Sequence, residues 1–113
     1  MLSVGPAQKV AIYMTEGIHR HHLDMATAIL DFLFRSGISG ATVFKGVAGF
    51  GAEHRLHTES IVSISDHLPV KVEFIELPQK VQDLLPQLAK MCGTGMIEVQ
   101  EIHIVKAAGS TAS

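Results

Sequence analysis

The chain holds a single cysteine, no tryptophan, one tyrosine and five phenylalanines. With only Cys92, an internal disulfide is excluded, in keeping with a reducing cytoplasm. So few aromatic residues make no base-stacking platform, and nine basic against eleven acidic residues give no general pull on nucleic acid. No apolar run approaches the length that crosses a bilayer, and the first residues lack the basic start and apolar stretch of a secretory signal. The expectation is a cytoplasmic protein without a nucleic-acid partner. Its 113 residues, 47% apolar, suffice for one packed domain without staples. Residues 1–7 read as a loose leader, 8–106 as that domain and 107–113 as a small-residue tail.

Glycine is not scarce, and half of it falls in one stretch. Gly37, Gly40, Gly46, Gly49 and Gly51 lie within fifteen residues, where a helical pattern stops and a strand pattern starts. Gly37 ends the helix, as a residue able to take positive φ. Gly40 turns the chain into Ala41-Thr42-Val43-Phe44, a β-branched and aromatic strand. Gly46, Gly49 and Gly51 then open a loop of poorly shielded amides. Such a loop either cradles an anion through successive N–H groups or simply serves a bend.

Along the chain, Lys9 to Thr15 alternates as a strand, with Val10, Ile12 and Met14 on its apolar face. Glu16 to His22 reads as a polar loop. Leu23, Ala26, Thr27, Leu30, Leu33 and Phe34 mark the buried side of a helix ending near Ser36, with Asp24, Asp31 and Arg35 opposite. Residues 52–60 form an exposed loop, Ile61 to Ser65 a short strand, and Asp66 to Pro69 a turn. Val70 to Leu77 is a further strand, with Val72 and Phe74 on one face and Lys71, Glu73 and Ile75 on the other. Pro78 opens a helix with Val81, Leu84, Leu85, Leu88 and Cys92 in helical spacing. Pro86 kinks it, or else the helix begins only near Leu85. Gly93-Thr94-Gly95 closes this element. In Met96 to Lys106 the apolar parity switches between Val99 and Ile102, which predicts a bulge near Gln100 and Glu101.

This order, β-α-β-β-α-β, is the split βαβ pattern of an α+β, ferredoxin-like sandwich. Both helices cover one sheet face. The other, with Ala11, Tyr13, Phe44 and Ile75, stays partly apolar and hints at self-association.

Four motifs in order carry a resemblance. Gly37-Ile-Ser-Gly-Ala-Thr-Val43, then Gly49-Phe-Gly51, resemble the second strand and loop entry of PII signalling proteins. Asp66-His-Leu-Pro69 with Lys71-Val-Glu73 resembles their third strand, and Cys92-Gly-Thr-Gly-Met-Ile97 their Gly-Asp-Gly-Lys-Ile loop. The chain is most similar to the PII-like branch called the domain of unknown function one-ninety. The resemblance implies a homotrimer with sheets facing inward and small-molecule clefts between subunits. An adenine nucleotide is the implied ligand, and the loop 52–60 would signal occupancy to a protein target such as a membrane transporter. The implied ligand residues are Thr42, Lys45, Gly46, Gly49, Phe50, Gly51, Arg55, Lys71, Gly93 and Gly95. The chain departs from PII at Met96 and Val70, where that family has lysines. It also lacks arginines in its last strand and a tyrosine in the exposed loop.

The run His19-Arg20-His21-His22 offers a second reading. Neutral imidazoles bind zinc and copper, so His19, His21 and His22, with His57, form an alternative metal site. The copper-tolerance CutA family shares this fold, although its motifs are not seen here. The other readings of this run are a solvated basic turn and part of an anion site whose charge varies near neutral pH. No Ser or Cys has a recognisable base partner, and Cys92 lies on a core stripe, so no enzyme is expected.

Overall fold

A computed structural model describes residues 2–15, 22–49, 57–58 and 69–109. Four strands form one antiparallel sheet: β1 (Gly5–Thr15), β2 (Ala41–Lys45), β5 (Pro69–Glu76) and β6 (Met96–Ile104), in the order β2-β5-β1-β6. Between β2 and β5, a two-residue pair joins β3 (Ala48–Gly49) to β4 (His57–Thr58). Helices α1 (His22–Arg35) and α2 (Pro78–Met91) complete an α+β ferredoxin-like fold. The strand expected at Ile61 to Ser65 and residues 66–68 of the turn after it lie outside the described residues, while Pro69, expected to end that turn, is the first residue of β5.

Alternation builds the core. Val10, Ile12 and Met14 of β1 pair with Phe74, Val72 and Val70 of β5, all buried on the helix side. Ala26, Ile29 and Leu33 of α1 and Val81, Leu84 and Leu88 of α2 close over them. Apart from Ala26, each such side chain contributes roughly 1.5–3 kcal/mol relative to exposure. Lys71, Glu73 and Ile75 stand on the opposite face of β5, as its alternation predicts.

Three details depart from the expected reading. First, β1 begins at Gly5 rather than Lys9, because β6 pairs with it four residues further back. Second, α1 is rotated about its axis. Ile29 is buried and Phe32 packs on the core, while Thr27 is exposed and Phe34 is 82% exposed. Leu30, Phe32, Leu33 and Phe34 make the helix apolar over a wide arc, so spacing alone permits two faces; the sheet selects one. Third, β6 has no bulge. Its register with β1 is unbroken from Tyr13↔Met96 to Gly5↔Ile104. The parity switch instead puts Ile97 on the helix side and Ile102 and Ile104 on the other face.

Helix α2 runs unbroken through Pro86, which is exposed. The ring removes only the N–H that would bond to the carbonyl of exposed Gln82, a group that water can reach. Asp31 and Arg35, four residues apart on α1, pair at 2.9 Å, but both ends are solvated and the pair adds little.

Candidate ligand site at the glycine end of the sheet

Strand direction brings both glycine bends to one end of the sheet. There β1 ends at Thr15, β2 ends at Lys45, β5 starts at Pro69 and β6 starts at Met96. The first bend follows β2. The Gly46 N–H donates to the Pro69 carbonyl at 2.7 Å, and a Cβ at 46 would lie 3.2 Å from the Pro69 ring. Val47 is exposed, and β3 then pairs with β4, Ala48 opposite Thr58 and Gly49 opposite His57.

The second bend caps α2. Cys92 donates its N–H to the Leu88 carbonyl, Gly93 takes φ +59°, and the Gly95 N–H donates to the Cys92 carbonyl at 2.9 Å. Gly95 packs so closely on the Tyr13 carbonyl that no side chain fits there. The Cys92 thiol lies beneath, 3.6 Å from the Ala89 carbonyl and 3.8 Å from that of Gly95. Burial pushes this thiol above its ordinary pKa.

These contacts refine the anion-cradle idea. The amides of Gly46 and Gly95 are already donated within the chain; a Cβ at 95 would collide with the Tyr13 carbonyl, whereas one at 46 would only press on Pro69. The Gly93 and Thr94 amides have no acceptor among the described residues. Electrostatics divides the site as well. The N-terminus of α1, over β5 and β2, brings the positive end of its dipole, whereas α2, over β1, brings its negative C-terminus.

Thr42 is exposed on β2, opposite Glu73, and Lys45 is exposed at the strand end. Gly49 lies in β3, opposite His57. Lys71 stands on the face away from the helices, its ammonium 3.3 Å from a Glu73 carboxylate oxygen, 4.9 Å from the centre of the Phe44 ring and 6.0 Å from that of Tyr13. Phe50, Gly51 and Arg55 lie outside the described residues, as do His19 and His21; His22 opens α1. Among the described residues, no group of three His, Cys, Asp or Glu side chains could hold a metal ion.

Register sets Lys71 beside three residues that motif reading did not assign to the site. Phe44, Lys71, Tyr13 and Met96 stand side by side in one row across all four strands, directly below both bends. The Tyr13 hydroxyl is 3.3 Å from a Glu98 carboxylate oxygen. Only the pairing of four strands reveals this row, since its members are scattered from 13 to 96.

The bends themselves stand apart. They leave the two outer strands, three spacings of 4.7–4.9 Å from each other, or roughly 14 Å.

The family model of DUF190, described as uncharacterized ACR, matches residues 7–104. The chain belongs to this family. The UPF0166 protein of Methanocaldococcus jannaschii is 33% identical over 101 residues, covering 88% of this chain and 93% of that one. Among solved structures, this DUF190 chain is similar to CPII of Thiomonas intermedia K12, a nitrogen regulatory PII-like protein bound to ADP, AMP and bicarbonate. That likeness has a TM-score of 0.64 at 22% identity over 92% of each chain. A PII-like signaling protein of Thermus thermophilus superposes at 0.65 with 16% identity, over 92% of this chain and 94% of its own. At these identities the structural likeness establishes the fold. No helix among the described residues of the DUF190 chain is long and apolar enough to cross a membrane.

Proposed function

We propose that this protein is a PII-like regulator that binds an adenine nucleotide between copies of itself. The observation that carries the reading is the placement of the bends. They share one end of the sheet yet leave its two outer strands, so one chain cannot close both around a small ligand. A neighbouring copy can bring its first bend to the second bend of the next. CPII, which shares the fold, is bound to ADP and AMP, which favours an adenine nucleotide as the ligand.

In this reading the assembly is a homotrimer whose sheet faces, with Tyr13, Ile75, Ile102 and half-exposed Phe44, point inward. At the second bend the ligand takes the Gly93 and Thr94 amides, while the first bend adds Gly49, Phe50 and Gly51. Phosphate lies toward the first bend and Lys45, where the α1 N-terminus favours negative charge. Met96 replaces a cation at the second bend, so a ligand with few phosphates fits better than a triphosphate. Occupancy is relayed through residues 52–60 to a protein target in the cytoplasm. No reaction is catalysed.

Titration calorimetry of the full chain against AMP, ADP, ATP, a dinucleotide and bicarbonate tests this. Saturable binding of at least one adenine nucleotide is expected, with one site per chain. Silence across the panel from folded protein would remove the nucleotide reading.

A further inference from the structure

The resemblance places Lys71 among the ligand contacts, but its surroundings give it different work. Its ammonium is 3.3 Å from Glu73 and 4.9 Å from the Phe44 ring centre, with the Tyr13 ring at 6.0 Å. The side chain therefore lies across the sheet row, facing two π surfaces and a carboxylate that each attract a cation. Both rings belong to residues that adjoin a bend. Phe44 is two residues before Gly46, and the Tyr13 carbonyl is the surface on which Gly95 rests. We infer that Lys71 is a positioning residue: it fixes Phe44 and Tyr13, and through them both bends, without touching the ligand's phosphate. The inference rests on the nucleotide reading for its binding consequence alone. Its structural half stands independently.

The two roles differ in measurable ways. A cation on phosphate loses more affinity for ADP than for AMP when removed, and its loss flattens the salt dependence. A positioning cation lowers both affinities by one common factor. Calorimetry with AMP and ADP at low and high salt compares the natural protein with Lys71→Met, Lys71→Arg and Phe44→Leu. Lys71→Met should weaken both nucleotides about fivefold, the size of one cation–π contact. Its salt dependence should stay unchanged, Lys71→Arg should restore binding, and Phe44→Leu should resemble Lys71→Met. A loss confined to ADP, with a flattened salt response, overturns the inference.

Amide hydrogen exchange without ligand provides the second readout. The Gly46 and Gly95 amides, bonded to Pro69 and Cys92, should exchange about fivefold faster in Lys71→Met and Phe44→Leu while the β1 amides of Val10 and Ile12 stay unchanged. Equal exchange at Gly46 and Gly95 in all variants overturns the positioning role, whatever the nucleotides do. Failure of the natural protein to bind any nucleotide removes the functional reading and leaves exchange to decide for Lys71.

Discussion

Gly95 rests directly on the carbonyl oxygen of Tyr13, and its own N–H closes a turn onto Cys92. A methyl group at 95 would be driven into that oxygen, with the Cys92 carbonyl 3.1 Å away on another side. Backbone cannot yield as a flexible side chain would. Gly95→Ala is therefore expected to destabilise by about 1–3 kcal/mol, the usual cost of overpacking. A Cβ at Gly93 would meet only the Met25 methyl at 3.9 Å, but φ is +59°, so Gly93→Ala should cost about 1 kcal/mol and Gly93→Asn less. Urea unfolding of the three variants measures all three values.

The rotation of α1 gives a second expectation. Ile29 and Leu33 are fully buried, whereas Phe34 points to solvent. Leu33→Ala should cost about 2–5 kcal/mol, and Phe34→Ala within about 0.5 kcal/mol of nothing. Equal losses in chemical denaturation would return the helix to the face that its spacing first suggests.

At the far end of the sheet, Gln8 donates its side-chain amide to Glu101 at 2.6 Å across the β1–β6 pair. Gln8 is buried, and its amide oxygen has no partner among the described residues. Removing the one acceptor leaves both ends of a buried amide unsatisfied. Glu101→Ala should cost about 1–3 kcal/mol although Glu101 is itself exposed, and Glu101→Gln clearly less. Thermal or urea unfolding of the two variants reads the difference.

Cys92 sets a pH expectation. Burial raises its thiol pKa in the folded chain, so folding favours the neutral form. This contribution is complete below the unfolded-state pKa and is lost as pH rises through the folded value. Stability should therefore decline on the alkaline side, and Cys92→Ser should remove that part of the decline. Iodoacetamide should react with the native thiol far more slowly than with the unfolded chain, as mass spectrometry can follow.

Much of this fold could be read from the chain. Val10, Ile12 and Met14, and the strict alternation of Val70 to Glu76, declare two central strands because each sets its large apolar side chains on one face. The helix at Pro78 declares itself by proline, spacing and the Gly93 stop. Reading fails where apolar residues serve two purposes. In α1 they cover an arc wider than one contact face, and in β6 the residues on its two sides belong to different surfaces. The site is less legible. Gly95 stands out as a glycine, but only its contact with Tyr13 shows that packing already requires it. The row Phe44–Lys71–Tyr13–Met96 exists only after four strands have found their register.

The decisive question is whether the bends work together across a boundary between copies. Two variants, each expected to lose ADP binding, separate the bends: Gly93→Trp at the second and Gly49→Trp at the first. Each is purified, the two are mixed and reassembled from mild denaturant, and ADP binding is measured by calorimetry. A site shared between copies predicts that the mixture regains a fraction of natural binding, because some clefts pair two unaltered bends. A mixture as silent as its parents, from folded protein, would contradict it.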